Sequence, residues 1–270
     1  MRSKEIIKPL FLILLSFTAY CCLLPYFKII KSNLDKITDQ GLTSYILAYL
    51  IVGIPIFLGI YFLDRKLTIF RSLGLTGNFF KALGISLVFT LPMFIGGMCF
   101  FRFNPVLQIE NLIAGTIVAG VMEELYYRGF LFGQLFKKTS LGFIPSIFLG
   151  AVLFALGHVY QSPHLSEMIG IFIITFLGAV LFAWLYVEWN FNLWVSIFTH
   201  TFMNLSWALF EIDSTALGGL KANIFRGLTI LIAIVFTIFY KRRKKQNLRI
   251  NKNTLILKKS APSYQYTESR

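Results

Sequence analysis

The sequence predicts an all-α, polytopic membrane helix bundle of about eight transmembrane helices. Three observations predict it. Hydrophobic residues fill 56% of the 270 positions and charged residues 14%, whereas soluble domains run near 45–50% apolar and about 25% charged. Mean hydropathy is +0.70. The apolar residues also gather in blocks of about twenty, the length that crosses a hydrocarbon core of roughly 30 Å.

Taken in order, the blocks lie at about 10–30, 43–63, 79–101, 111–136, 143–161, 168–188, 191–210 and 222–240. The first has the look of a signal peptide, but "FTAYCC" places the bulky Tyr20 where a cleavage site needs a small residue. It is expected as a retained helix. Short connections separate the blocks, the longest being 31–41 and 63–78. With no internal repeat, residues 1–240 read as a single transmembrane domain. Residues 241–270 carry ten Lys/Arg against Glu268 alone, and are expected as a basic, disordered cytoplasmic tail.

Charge sets the orientation. With both termini cytoplasmic, the inner segments hold nineteen Lys/Arg and the outer ones six, in keeping with the positive-inside bias. The run "KRRKKQNLR" (241–249) then acts as a stop signal that also meets anionic lipid. It lacks interleaved aromatics and a folded module, so no nucleic acid is expected as a partner. Cys21, Cys22 and Cys99 lie in apolar runs and form neither a metal spacing nor a disulfide framework. The Lys-, Ile- and Phe-rich composition suits a low-GC bacterium, which places the protein in a bacterial cell membrane.

The informative residues are those that break the apolar pattern. Ionisable groups within a membrane need a partner or a wet cavity. "VMEELYYRGF" puts Glu123, Glu124 and Arg128 in the fourth block, while His158 lies in the fifth and His200 in the seventh. Glu124 and Arg128 are i, i+4 and can pair. Phe154 and His158 repeat that spacing, as do His200 and Asn204. Each feature has a plain structural reading. A Glu–Arg pair can be a neutralised clamp, and a lone intramembrane His or Asn is commonly an interhelical hydrogen bond of about 0.6 kcal/mol. Glu123 resists that reading, because it is a second carboxylate beyond the one Arg128 neutralises. Gly129 and Gly133 form a G-x-x-x-G that permits close helix approach, and His164 reads as a solvated loop residue.

"EELYYRG" (123–129), "FALGH" (154–158) and "LWVSIFTHTFMN" (193–204) have the forms E-E-x-x-x-R, F-x-x-x-H and H-x-x-x-N. In order and spacing this set resembles the CPBP family, the CAAX-protease and bacteriocin-processing (Abi) membrane proteins. The resemblance covers a catalytic core of about 111–205 and places the site on the fourth, fifth and seventh helices. It implies an intramembrane endopeptidase related to the type II CAAX prenyl proteases, acting on a membrane-associated peptide or protein. By that analogy Glu123 with His158 activates water, and His200 with Asn204 stabilises the oxyanion. Glu124, Arg128 and Phe154 orient the site or the substrate.

A buried carboxylate suits general-base work near neutral pH, so a metal-independent glutamate mechanism is favoured. Zinc on Glu123, His158 and His200 is the alternative, since His₂Glu is an accepted catalytic zinc set, although no H-E-x-x-H occurs. Two other functions stay open: a bacteriocin-immunity protein that acts by binding, and a proton-coupled transporter. The transporter ranks lower because paired broken helices are missing from the pattern. Depth adds a tension. At 1.5 Å per residue, Glu123 and His200 lie roughly 18 Å from the outer helix ends and His158 roughly 8 Å.

Overall fold

The computed structural model describes residues 2–65 and 67–258; for residues 2–6 it describes the helix without the side chains. Among these residues the chain is helical, with two isolated β-bridges as its only extended pairing. The physical reason is the bilayer: without water, backbone groups must be paired within their own segment. The helices are α1 (Arg2–Leu23), α2 (Phe27–Thr38), α3 (Gly41–Val52), α4 (Ile54–Leu63) and the short α5 (Ile69–Leu73). They continue with α6 (Phe79–Phe100), α7 (109–138), α8 (Phe143–Leu156), α9 (Leu165–Glu188), α10 (Leu193–Leu209) and α11 (Leu220–Arg243).

The eight apolar blocks therefore all appear as helix, with α1–α2 and α3–α4 each forming one block. Five helical stretches are long and apolar enough to cross a membrane, or six if the α3–α4 pair, bent by 46°, is one span. The other two blocks, α7 and α10, carry Glu123, Glu124, Arg128, His200 and Asn204. α10 has 17 residues, and α7 is interrupted in its hydrogen bonding.

α7 is the axis of the fold. It alternates α-helical turns with two π-helical stretches, Ala114–Val118 and Glu124–Phe132. Every residue from 124 to 137 is buried, so this part of the helix is sheathed by the others and encloses Glu124 and Arg128. The sheath leans on small residues. Cβ atoms at Gly129 and Gly133 would stand 3.0 Å from the Leu193 side chain and 3.1 Å from the Tyr186 ring, which accounts for the G-x-x-x-G. One apolar core packs α1, α3, α4, α8 and α9 around α7. A second joins α6, α9, α10 and α11 through Phe89, Leu181, Leu185, Trp189 and Ala233.

The expected disordered tail is corrected over part of its length. Residues 249–258 pack back onto the end of the bundle where α7 finishes. Gly142, Phe143 and Ile144 donate backbone hydrogen bonds to Ile256, Thr254 and Leu255, and Leu257 bridges Leu141. The anchor is Glu188, whose side chain is fully buried. Its carboxylate takes the Lys241 ammonium and the backbone N–H groups of Arg249 (3.1 Å) and Ile250 (2.8 Å). Lys258 donates to the carbonyl of Phe136 near the last turn of α7. Composition pointed to disorder, but a remote carboxylate with room for three donors overrides it. The remainder of that expectation, 259–270, lies outside the described residues. Burial also pushes the Lys258 ammonium down, to about 8.

Glu188→Ala should leave Lys241 buried without its counter-charge, at a cost of about 3–5 kcal/mol. The expected result is a lower unfolding temperature in detergent and faster tryptic cutting after Arg249 and Lys252. Lys245→Ala, at an exposed position, should change neither.

Candidate active site

Geometry starts from Arg128. Its side chain and that of Glu124 are both at 0% exposure, with Nη1 3.2 Å from Glu124 Oε1. The guanidinium also lies over two ring faces, 4.3 Å from the Phe154 centroid and 5.4 Å from that of Phe182. A desolvated cation–π contact of this kind is worth about 2 kcal/mol or more. Arg128 is thus clamped by α8, α9 and its own helix.

Glu124 reaches a second partner. His200 of α10 holds Nδ1 2.9 Å from Glu124 Oε1. A carboxylate only accepts, so Nδ1 carries the proton. The ring is stacked on Phe182 at 5.0 Å and meets Phe154 edge-on at 6.3 Å. The other nitrogen, Nε2, points back toward α7, 3.9 Å from Glu123 Oε2. α10 can come this near because position 120 is glycine: a Cβ there would stand 2.6 Å from Thr201 Oγ1.

Glu123, Phe154, His158, His200 and Asn204 all line one cavity of about 1260 Å³. The resemblance-derived set is therefore brought to a common space from α7, α8, the turn after it, and α10. Its internal pairing differs from the analogy. His158 lies just beyond the end of α8, where its Nδ1 bonds the Phe154 carbonyl at 2.7 Å. It makes no hydrogen bond to Glu123, and the histidine within 4 Å of Glu123 is His200. Despite their different positions along their helices, Glu123, His158 and His200 reach the same cavity. Asn204 donates to the Gly115 carbonyl at 3.4 Å, in the first π-helical stretch of α7.

Glu124 and Arg128 stay out of the cavity lining; their contacts are with each other, with His200 and with the two rings. Among the described residues no group of three or more His, Cys, Asp or Glu is placed to hold a metal, Glu123, His158 and His200 included. The Nδ1 atoms of His158 and His200 bond Phe154 and Glu124, which leaves their Nε2 atoms open. His164 is exposed at the start of α9, as expected.

Other lining residues were not legible. Phe182, Tyr45, Tyr49 and Trp207 look in sequence like ordinary apolar-block aromatics, and only their neighbours distinguish them.

A helical membrane bundle with a water-accessible glutamate, two histidines and an amide around one cavity defines the class. Residues 105–206 match the family described as Type II CAAX prenyl endopeptidase Rce1-like. That match takes in less than half of the chain, and over it the chain is similar to the CAAX-protease family. Over 105 residues it is 30% identical to "Putative membrane peptidase YdiL" of Bacillus subtilis (strain 168), an alignment that takes in 38% of this chain and 37% of that protein. No solved structure matches the chain.

Arg128→Met should strand Glu124 without its cation and lower stability by about 3–5 kcal/mol, measured as thermal unfolding in detergent. Arg128→Lys should recover only part, because an ammonium cannot present a flat face to Phe154 and Phe182 at once. Adding Glu124→Leu to Arg128→Met should restore part of the loss.

Proposed function

We propose that the protein is a membrane-embedded endopeptidase that cleaves a peptide bond of a membrane-associated peptide or protein, with Glu123 as general base. The observation that carries this reading is the asymmetry between two adjacent carboxylates. Glu124 is fully buried and committed to Arg128 and His200. Glu123 is 22% exposed and lines the cavity, with His200 Nε2 3.9 Å from its carboxylate. A carboxylate held in this way is free to take a proton.

In the proposed reaction Glu123 removes a proton from water as the water oxygen attacks the substrate carbonyl carbon. The carbonyl electrons move onto oxygen, where Asn204 Nδ2 and the His200 ring stabilise the oxyanion. Collapse breaks the C–N bond, and Glu123 returns its proton to the leaving amine. His158, with Nδ1 spent on Phe154, has Nε2 available to take part in the proton transfers. Glu124 and Arg128 keep the His200 ring in its orientation. Donors fixed in advance act strongly in a poorly hydrated site, because little reorganisation is needed as charge develops.

Glu123→Gln keeps the size of the side chain and removes its basicity. Cleavage of a peptide library in detergent, read by mass spectrometry, should fall by about 10²–10⁴-fold with unfolding temperature unchanged. Asn204→Ala should cost about 10²–10³-fold in kcat. Cleavage by Glu123→Gln at the wild-type rate would sink the mechanism. Retained bacteriocin protection by the same inactive variant would show that the biological role is binding.

A further inference from the structure

The cavity has two chemically different ends. Toward the loops it is polar: Asn104, Asn111, Gln161, Glu211, Asp213 and Arg226 contribute to its lining. Arg226 is already engaged there, stacked on Trp207 at 4.3 Å and donating to the carbonyls of Ala216 and Leu217. Toward the middle of the bundle the lining turns apolar, with Met93, Ile174, Gly178, Leu181, Phe182 and Ile230.

This apolar end is a framed recess between α9 and α11. At its floor the two helices meet, with Leu181, Leu185 and Trp189 packed against Ala233 and the Trp189 indole donating to Thr237 Oγ1 at 3.0 Å. At its roof the 210–219 loop closes on α9, where a Cβ at Gly170 would stand 2.6 Å from Leu217. Gly170 and Leu181 are separated by about 16 Å along α9. Between them Gly178 faces the opening.

Glycines inside membrane helices usually serve close approach of a neighbour. Gly170 does so. Gly178 does not: no heavy atom lies within 4 Å of where its Cβ would stand, although it lines the cavity. The missing side chain therefore leaves space. One turn further along α9 is Phe182, whose ring is stacked on His200. The space continues directly into the site.

We propose that Gly178 is a specificity-determining residue, whose absent side chain opens a subsite for one bulky aliphatic or aromatic side chain of a peptide substrate. This rests on the peptidase reading above for its biological meaning, and on the recess alone for its binding. The polar groups nearest the recess are already engaged, Thr175 donating to the Ile171 carbonyl and Arg226 to Ala216 and Leu217, so a polar or charged side chain entering there loses its hydration without replacement. The polar mouth takes the flanking part of the peptide. Cleavage then falls where an apolar residue is followed or preceded by a hydrophilic stretch.

The test uses peptides identical except for Gly, Ala, Leu, Phe or Trp at the position adjoining a cleavage site mapped in the library. Two quantities are read: kcat/KM with otherwise wild-type protein, and fluorescence-anisotropy affinity in a Glu123→Gln background. Gly178→Phe should weaken both about tenfold or more for the Leu, Phe and Trp peptides. For the Gly and Ala peptides both should stay within about twofold. Gly227→Phe is the control, since Gly227 also has no heavy atom within 4 Å of its Cβ position but does not line the cavity; it should alter neither quantity. A uniform loss across the series, no loss, or no peptide binding by any form overturns the subsite. Size-dependent binding alongside undiminished cleavage by Glu123→Gln overturns the peptidase mechanism and leaves the subsite standing.

Discussion

A guanidinium with no exposure to solvent, Arg128, sets the terms for everything around it. An isolated charge in so dry a place is costly, and removing one partner of a buried pair typically destabilises a fold by several kcal/mol. Arg128 is met by a carboxylate on its own helix and by ring faces on α8 and α9. That requirement draws three helices together. Because Glu124 also holds His200, it fixes α10 as well. The charges that make "VMEELYYRGF" a poor membrane helix are thus what organise the bundle around it.

The consequence for chemistry is a division of labour between neighbours in sequence. Adjacent residues on a helix point in different directions, so Glu123 and Glu124 need not share an environment. One is enclosed and paired, while the other meets the cavity. The π-helical stretch that begins at Glu124 is the kind of irregularity often found at functional sites. Here it lies where a regular helix would have to satisfy both the clamp and the cavity.

Much of this was legible in sequence, and the rest was hidden for identifiable reasons. Helix existence follows from block length and hydropathy, which are local, and all eight blocks are helical. The polar residues at 123, 124, 128, 158, 200 and 204 stand out because any charge or imidazole in an apolar run is conspicuous. Their pairing does not follow from spacing. Glu124 and Arg128 declared each other at i, i+4, but Glu124 to His200 spans 76 positions, and no periodicity encodes it. The π turns depend on what surrounds α7. The packing of 249–258 was missed because composition describes the tail alone, while its order comes from Glu188, some sixty residues earlier. Phe182 and Gly178 were invisible for the opposite reason: in a lipid-facing helix they are ordinary.

That distance between Glu188 and its partners also bears on how the protein is made. A chain entering a membrane from its N-terminus places α9 before α11 and the segment beyond it exist. During that interval the carboxylate that will be fully buried has neither Lys241 nor the N–H groups of Arg249 and Ile250. Burying a lone carboxylate is costly, so the closed end of α9 is complete only once the last helix and the segment beyond it bring these donors.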